Sequence, residues 1–284
     1  MSIPRNHHYI SQVHIKHFFN EIGEIYLYNK TSELYQIKKS SKRIFSEKDL
    51  NTIFYHNAND YDLIEGELNE FFEKDFDLHF GNIENLLIDK EVSLDVQKSI
   101  LYLARYGAIA ILRTPNYKKK LTNEFLDIFQ SITKISDEKL ESSFNNFFDI
   151  KGDSKYLHSG SLLETGNNTI LKMGLIYFTI EVPENEDDYF FLPDFGASTI
   201  RDFNVPNFDP YPKEISYIGL PLSSKIYIHF YSERTLEQNC KFGKINSNQV
   251  YQLNKANYDY ANEIVACENL TYLENFIKKN LRLT

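Results

Sequence analysis

Short alternating runs of apolar and polar residues mark the beginning of the chain. Residues 24–28 and 34–38 alternate as strands do, and residues 29–32 between them are turn formers. This pattern predicts a β-hairpin. Residues 10–19 place apolar side chains at intervals that suit a short helix and an extended segment equally. Residues 46–49 have the N-cap-like composition that predicts a short helical turn.

The middle of the chain spaces its apolar side chains three and four residues apart, as amphipathic helices do. One such stripe extends over residues 63–87, with acidic residues on the opposite face. A second extends over residues 94–112 behind Ser93, which has the position of an N-cap, and Pro115 ends this helix or begins the next. Further helices are predicted over residues 121–132 and 139–148.

The last part of the chain changes to the pattern of strands. Residues 152–166 are polar and contain glycine, so we predict a loop or boundary there. Helical periodicity returns over residues 256–281, with a break near Asn269. The predicted strands are residues 171–182, 189–192, 215–220 and 225–231, joined in part by an acidic hairpin-like turn at 183–188 and a long loop at 196–213.

These elements predict an α+β fold, since strands and helices occupy separate stretches of the chain. We predict a single domain over residues 1–284 with three subregions. Residues 1–60 form an N-terminal hairpin region and residues 61–150 form a helical block. Residues 167–284 form a mostly antiparallel sheet followed by a C-terminal helix.

Composition and charge narrow the class of protein. The formal net charge of −9 argues against non-specific binding of nucleic acid over the whole surface. Much of this charge lies in residues 60–90, whereas basic side chains near the N-terminus leave open a local basic groove. No apolar run approaches the roughly 20 residues of a membrane span, and no signal peptide precedes the first element. We therefore expect a cytoplasmic protein of an AT-rich bacterial genome that binds no membrane.

Four histidines near the N-terminus are the first candidates for chemistry. His7, His8, His14 and His17 could supply nitrogen ligands to a metal, with a carboxylate from elsewhere completing the set. Their spacing matches no established metal motif, so ordinary polar residues on a partly buried segment are the alternative. His8 is also a candidate general base near neutral pH.

Two further residues stand at predicted element ends. Asp194 follows a buried strand and precedes a loop, a position that suits a metal ligand or base and also suits an Asx-turn or helix cap. Arg113 lies at a predicted helix end, where it can complement the helix dipole, bind a phosphate, or pair with Glu65 or Glu73. Motifs of P-loop ATPases, Rossmann dehydrogenases and serine hydrolases with a nucleophile elbow do not occur.

Several segments resemble, in order, the bacterial domain-of-unknown-function 4238 family. Residues 7–18 resemble its opening motif, His-His-Tyr-(Ile/Val)-Pro-Gln-Phe-Tyr-Leu-x-x-Phe, with Ser11 replacing the proline. Residues 113–115, 191–194 and 220–223 resemble later motifs of that family.

The resemblance shifts the weight among the candidate residues. His14 and His17 stand where the family commonly has tyrosine and asparagine, which weakens the case for a four-histidine metal site. The family pattern instead favours five positions, which are His8, Gln12, Arg113, Asp194 and Asn254. Proteins of this family look like recurrent companions of phage-defence and mobile-element genes.

The first functional hypothesis is a bacterial defence effector, a metal-assisted nuclease or other phosphodiester hydrolase acting on nucleic acid. His8 and Asp194 would bind a divalent metal or act as bases, with Gln12 beside them. Arg113 and Asn254 would bind the substrate. The alternative is a non-enzymatic sensor that binds a protein partner of a defence system, since the chain is rich in tyrosine and phenylalanine. A third hypothesis is a nucleotide or small-ligand binder at the junction of helical block and sheet.

Overall fold

Strands and helices occupy largely separate stretches of the chain. A computed structural model describes residues 5–55, 58–133, 161–201, 214–233 and 239–281, with the single positions 142, 156 and 235. The helices are α1 (Gln12–Lys16), α2 (Leu63–Leu68), α3 (Phe76–Asp89), α4 (Leu94–Ala110), α5 (Pro115–Thr133), α6 (Leu162–Met173), α7 (Ser247–Tyr260) and α8 (Leu270–Leu281). Short 3-10 turns lie at Ser41–Arg43 and Ile111–Arg113, and a π-helical turn at Asn69–Glu73.

The strands form two larger sheets and two small pairs. They are β1 (Asn6–His8), β2 (Ile25–Asn29), β3 (Leu34–Lys38), β4 (Ser46–Lys48), β5 (Ile53–Tyr55), β6 (Ala58–Asp60), β7 (Ile176–Pro183), β8 (Leu192–Pro193), β9 (Ser198–Arg201), β10 (Ile215–Pro221), β11 (Tyr227–Ser232), β12 (Lys241–Ile245) and β13 (Ile264–Cys267). One sheet has the order β12-β7-β11-β10-β9 and the other β3-β2-β13-β8, while β1 pairs with β4 and β5 with β6.

The five-stranded sheet carries the largest core on one of its faces. Ile228 and Phe230 of β11 are fully buried there, together with Ile218 of β10. Helix α4 crosses this face, and a Cβ at Gly107 would lie 2.7 Å from the Ile218 side chain. Glycine is needed there because the helix backbone approaches the strand too closely for any side chain. The sheet and the helical block therefore share one core.

The four-stranded sheet separates two smaller cores. Ile25 and Leu27 of β2 face the N-terminal segment, where Ile15 and Phe18 are fully buried. The alternate side chains of β2 and β13 face helices α7 and α8. Alternation along each strand therefore sends successive residues to opposite cores, and β13 holds both cores together.

The α+β class, the N-terminal hairpin, the mostly antiparallel sheet and the C-terminal helix are confirmed. Strand β12 runs parallel to β7, whereas the other strand pairs of the described residues are antiparallel. Ser93 caps α4 as predicted, because its side chain accepts from the Val96 amide. The helix predicted over residues 139–148 lies outside the described residues except at position 142.

Several local predictions are wrong. The predicted helical turn at 46–49 is strand β4, whose residues pair with β1. Residues 162–173 form helix α6, so the predicted loop at 152–166 and the predicted strand from residue 171 both overlap a helix. The acidic turn at 183–188 does not connect a hairpin, since β7 pairs with β11 and β12. The loop predicted at 196–213 contains strand β9.

The predicted helix over residues 256–281 is divided by strand β13. Its residues, Ile-Val-Ala-Cys, are short and apolar enough to fit a helical stripe, and pairing with β2 and β8 decides their conformation. The predicted break near Asn269 is confirmed, since the Asn269 side chain accepts from the Tyr272 amide at the start of α8. Within the described residues, no helix combines the length and the apolar character that crossing a bilayer requires.

The placement of β13 predicts unequal reactivity of the two cysteines. Burial raises the pKa of the Cys267 thiol to about 12, whereas Cys240 is exposed. Because the thiolate is the reactive form, we expect Ellman's reagent to modify one thiol of the native protein and two in guanidinium chloride. The variant Cys240→Ser should be unreactive until it is unfolded. Rapid native modification of Cys267 would contradict its position in the sheet.

Candidate functional site

His8 ends the short strand β1 and is held by the turn at residue 41. Its Nε2 lies 3.3 Å from the Ser41 carbonyl oxygen, so Nε2 carries the proton of the neutral ring and donates it. The Ser41 hydroxyl in turn donates to Gln12 Oε1 at 3.0 Å. The structure therefore joins His8 and Gln12, two of the predicted site residues, through one serine.

The second ring nitrogen of His8 is available for chemistry. No described residue hydrogen-bonds Nδ1, and the side chain is half-buried. Burial lowers the pKa of His8 below its ordinary value, which the bond to the Ser41 carbonyl and the charges of Glu65 and Glu73 offset in part. The ring is therefore neutral at neutral pH, and Nδ1 presents a lone pair that can accept a proton.

Arg113 lies directly behind His8. Its Nη2 donates to Glu73 Oε1 at 2.7 Å and to the His8 carbonyl oxygen at 3.1 Å. Burial alone would lower the pKa of Arg113, but the adjacent Glu73 carboxylate raises it above the ordinary value. The Nε group is buried and has no partner among the described residues. Arg113 is therefore a fixed positive charge with one donor left over.

Local structure explains why Arg113 and Glu73 meet. Arg113 closes the 3-10 turn that ends helix α4, and Glu73 ends the π-helical turn after α2. In that turn the Lys74 amide bonds to the Asn69 carbonyl, five residues earlier. The extra residue of a π-turn rotates the side chains that follow it, and such turns are frequent at functional sites.

Three further residues complete this group. Lys118 in the first turn of α5 donates to Asn51 Oδ1 and to the Leu50 carbonyl oxygen. The side-chain Nδ2 of Asn51 donates to Glu65 Oε1 at 2.5 Å. Burial, together with the charge of Arg113, lowers the pKa of Lys118 to about 7. We refer to the group as the His8 cluster, which consists of His8, Asn51, Glu65, Glu73, Arg113 and Lys118.

The His8 cluster combines a neutral base with one permanent cation. Arg113 lies against Glu73, and the imidazole and the Lys118 amine lie nearby. A group with a free lone pair next to a fixed cation can remove a proton from water while the cation stabilises a developing anion. The arrangement suits general-base hydrolysis.

Asp194 lies outside the His8 cluster. Its Oδ1 accepts from the Asn262 amide at 2.9 Å, and its Oδ2 accepts from the amides of Glu263 and Ile264 at 2.6 and 3.0 Å. Both carboxylate oxygens are thus occupied by the backbone that leads into β13. The carboxylate therefore holds a distant backbone segment, and it does so without the local Asx-turn or helix cap that the sequence offered as the alternative.

Asn254 is a buried residue of helix α7 whose side chain hydrogen-bonds the backbone of another segment. Its Oδ1 accepts from the Phe191 amide at 2.8 Å, and its Nδ2 donates to the Tyr189 carbonyl at 2.7 Å and to the Tyr272 hydroxyl at 3.3 Å. Asn254 therefore satisfies the backbone of an irregular segment before β8. The structure thus brings together His8, Gln12 and Arg113 and places Asp194 and Asn254 in other bonds.

The other three N-terminal histidines bind different partners in different places. His7 Nδ1 accepts from the Asn51 amide, and His17 Nε2 lies 2.9 Å from Asp77 Oδ1. His14 is buried between the Tyr106 hydroxyl and the Pro221 carbonyl, and burial lowers its pKa to about 3. Among the described residues, no three His, Cys, Asp or Glu side chains group as a metal would require. The predicted pairing of His8 with Asp194 as metal ligands gains no support from this geometry.

Sequence reasoning missed Lys118 and Asn51. Lys118 begins a run of three lysines, and Lys119 and Lys120 are exposed. A run of charged residues usually indicates solvent-exposed surface, so the pattern offered no reason to single out Lys118. The one available signal was the helical phase of α5, which turns Lys118 inward one turn after Pro115.

The comparison with protein families gives a match over most of the chain. Residues 6–269 match the model described as Protein of unknown function (DUF4238). The chain belongs to this family, which confirms the family resemblance seen in the sequence. A search of curated proteins and a search of solved structures each found no match.

The role of Asn254 predicts a loss of stability. We expect Asn254→Ala to lower the free energy of unfolding by about 2–4 kcal/mol. The change leaves one buried backbone amide and one buried backbone carbonyl without a hydrogen-bond partner. Asn248→Ala, the same change at an exposed position of α7, should have little effect. Urea denaturation measures both, and equal stabilities would contradict the role of Asn254.

The burial of Lys118 predicts a pH-dependent stability. Its folded pKa is about 7 against an ordinary 10.5, so between these values the folded chain has lost a proton that the unfolded chain keeps. Wild-type stability should therefore rise from pH 6 to pH 9 by about 1–3 kcal/mol relative to Lys118→Met. Lys119→Met is the exposed control and should track the wild type at every pH. Parallel curves for wild type and Lys118→Met would contradict the lowered pKa.

Proposed function

We propose that the protein is a phosphodiester hydrolase in which His8 acts as the general base, and that it serves as an effector in bacterial defence. The observation that carries the proposal is the state of the His8 ring. Its Nε2 is fixed on the Ser41 carbonyl, its pKa is lowered by burial, and its Nδ1 has no described partner. A base held in one tautomer and unprotonated at neutral pH is what water activation requires.

The cations of the His8 cluster support a phosphate-containing substrate. Arg113 has a buried Nε–H group without a described partner, and a phosphate oxygen is a suitable acceptor for it. Lys118 adds a second amine nearby, while Glu65 and Glu73 keep the cluster from carrying a large positive charge before substrate binds. The association with phage-defence genes that the family resemblance implies is consistent with this cellular role.

In the proposed step, His8 Nδ1 takes a proton from water as the water oxygen attacks phosphorus. The bond from phosphorus to the leaving oxygen breaks, the leaving alkoxide takes a proton from solvent, and the His8 imidazolium returns its proton to solvent. Arg113 offsets the charge that develops on the phosphate.

The proposal predicts that hydrolysis depends on His8. Purified protein is incubated with labelled single- and double-stranded DNA and RNA and with bis(p-nitrophenyl) phosphate, in Mg²⁺, Mn²⁺, Zn²⁺ or EDTA. We expect cleavage of at least one substrate, and about a 100-fold or greater loss of rate in His8→Gln. His17→Gln, the same change outside the cluster, should keep the wild-type rate. Intact substrates in every condition, or equal rates for both variants, would refute the proposal.

A specific observation also favours the alternative of a partner-binding module. Strand β3 is an edge strand with exposed apolar side chains, of which Leu34 is 59% and Ile37 54% exposed. Such an edge can pair with a strand of another protein. If a cellular phenotype survives His8→Gln and is lost in Leu34→Lys, the partner-binding module replaces the hydrolase.

A further inference from the structure

The outer face of the five-stranded sheet carries a line of polar side chains that the main core does not use. His229 lies on β11 between Ile228 and Phe230, which face the core, so its ring projects to the opposite face. Tyr217 of β10 and Glu181 of β7 project to the same side and flank the ring. Three adjacent strands thus supply a phenol, an imidazole and a carboxylate.

These three side chains form a continuous hydrogen-bonded relay. Glu181 Oε2 lies 3.0 Å from His229 Nε2, and Tyr217 Oη lies 2.7 Å from His229 Nδ1. The carboxylate accepts the Nε2 proton, which leaves Nδ1 as the acceptor for the Tyr217 hydroxyl. A hydroxyl bound to an imidazole that a carboxylate orients is the arrangement that activates nucleophiles in hydrolases.

A glycine makes room for the reactive end of the relay. A Cβ on Gly219 would lie 2.6 Å from Tyr217 Oη, 2.7 Å from Ser198 Oγ and 2.9 Å from Tyr227 Oη. Three hydroxyl groups therefore converge over the space that any other residue would fill. Ser198 donates to the Gly219 carbonyl at 3.3 Å, so its oxygen is held in place.

We propose that Tyr217 is the nucleophile of a second site, which transfers the acyl group of an uncharged carboxylic ester. The Tyr217 oxygen bonds to the carbonyl carbon as its proton passes to His229 Nδ1. The bond from that carbon to the leaving oxygen then breaks, and the His229 proton goes to the leaving alkoxide. Water then bonds to the carbonyl carbon of the tyrosyl ester as its proton passes to His229 Nδ1. The bond from that carbon to the Tyr217 oxygen breaks, and the His229 proton returns to the Tyr217 oxygen.

The charges around the relay select the class of substrate. The charged group of the relay is the Glu181 carboxylate, and no lysine or arginine among the described residues hydrogen-bonds any of its three members. An anionic phosphate would be repelled there, whereas a neutral ester would not. The Tyr227 hydroxyl lies beside Tyr217 Oη, where it can donate to an oxyanion.

Burial explains why the imidazole is needed. Tyr217 is largely desolvated, and this raises its pKa well above the ordinary value. A free phenolate is therefore scarce at neutral pH, and the proton must move to His229 as the new bond forms. His229 is itself nearly enclosed, at 8% side-chain exposure, while Glu181 is 23% exposed.

The site is separate from the His8 cluster. Its members come from β7, β10 and β11, whereas the His8 cluster is built from β1, the segment after β4, and helices α2 to α5. The two sites share no residue, so loss of one activity does not imply loss of the other.

The experiment measures turnover of p-nitrophenyl acetate and locates the acetyl group by mass spectrometry of the full chain after rapid quenching. We expect acetyl transfer to Tyr217 and roughly 100-fold slower turnover in Tyr217→Phe and in His229→Gln. Tyr217→Phe removes one hydroxyl only, and an unchanged melting temperature shows that it folds. Tyr260→Phe, at a tyrosine that is 79% exposed, should behave as wild type.

Glu181 acts through His229 and is a positioning residue. Glu181→Gln should lower kcat about 10-fold and leave KM unchanged, and Glu181→Asp should recover part of the loss. Turnover in wild type no faster than in Tyr217→Phe would overturn the proposal. Acetylation of Tyr260 without Tyr217 would overturn it as well, because exposure and not the relay would then set reactivity.

Discussion

The ion pair of the buried Arg113 with the partly exposed Glu73 is the constraint on which the N-terminal part of the molecule depends. A buried guanidinium is tolerated only when opposite charge and hydrogen-bond acceptors surround it, and removal of a partner typically costs about 3–5 kcal/mol. Arg113 meets this need with one carboxylate and with the carbonyl of His8. The same nitrogen therefore neutralises a charge inside the helical block and anchors strand β1. The position of the His8 ring follows from this anchor and from the Ser41 carbonyl.

Hydrogen bonds from buried polar side chains to backbone groups recur throughout this fold. Asp194 binds three consecutive amides before β13, and Asn254 binds the backbone on both sides of Phe190. His14 does the same between α1 and β10, where it stays neutral because it is fully buried. The backbone groups that they bind lie in or next to irregular segments, where amides and carbonyls lack strand or helix partners. They explain how a fold with many short strands satisfies its buried backbone.

The spacing of apolar residues predicted the helices and strands whose conformation is determined by local sequence. The hairpin of β2 and β3 and the stripes of α3 and α4 follow from alternation and from three-to-four spacing. Strands β1, β4 and β13 were missed because they are short, and distant pairing decides their conformation. For the same reason, the sequence could point to His8 and Arg113 but not to Lys118, Asn51 or the relay of His229. Their roles depend on which strands and helices become neighbours, and single-sequence patterns do not contain that information.

The pairing of β13 with β2 has a consequence for how the protein is made. Residue 264 pairs with residue 29, and β13 also separates the two cores of the four-stranded sheet. On the ribosome, β2 and β3 emerge long before their central neighbour, so the hairpin has an uncovered edge while the helical block is being synthesised. Contacts of such high sequence separation form late. The N-terminal segment packs on this sheet through Ile15 and Phe18, so its packing against the completed sheet must wait until β13 has been synthesised.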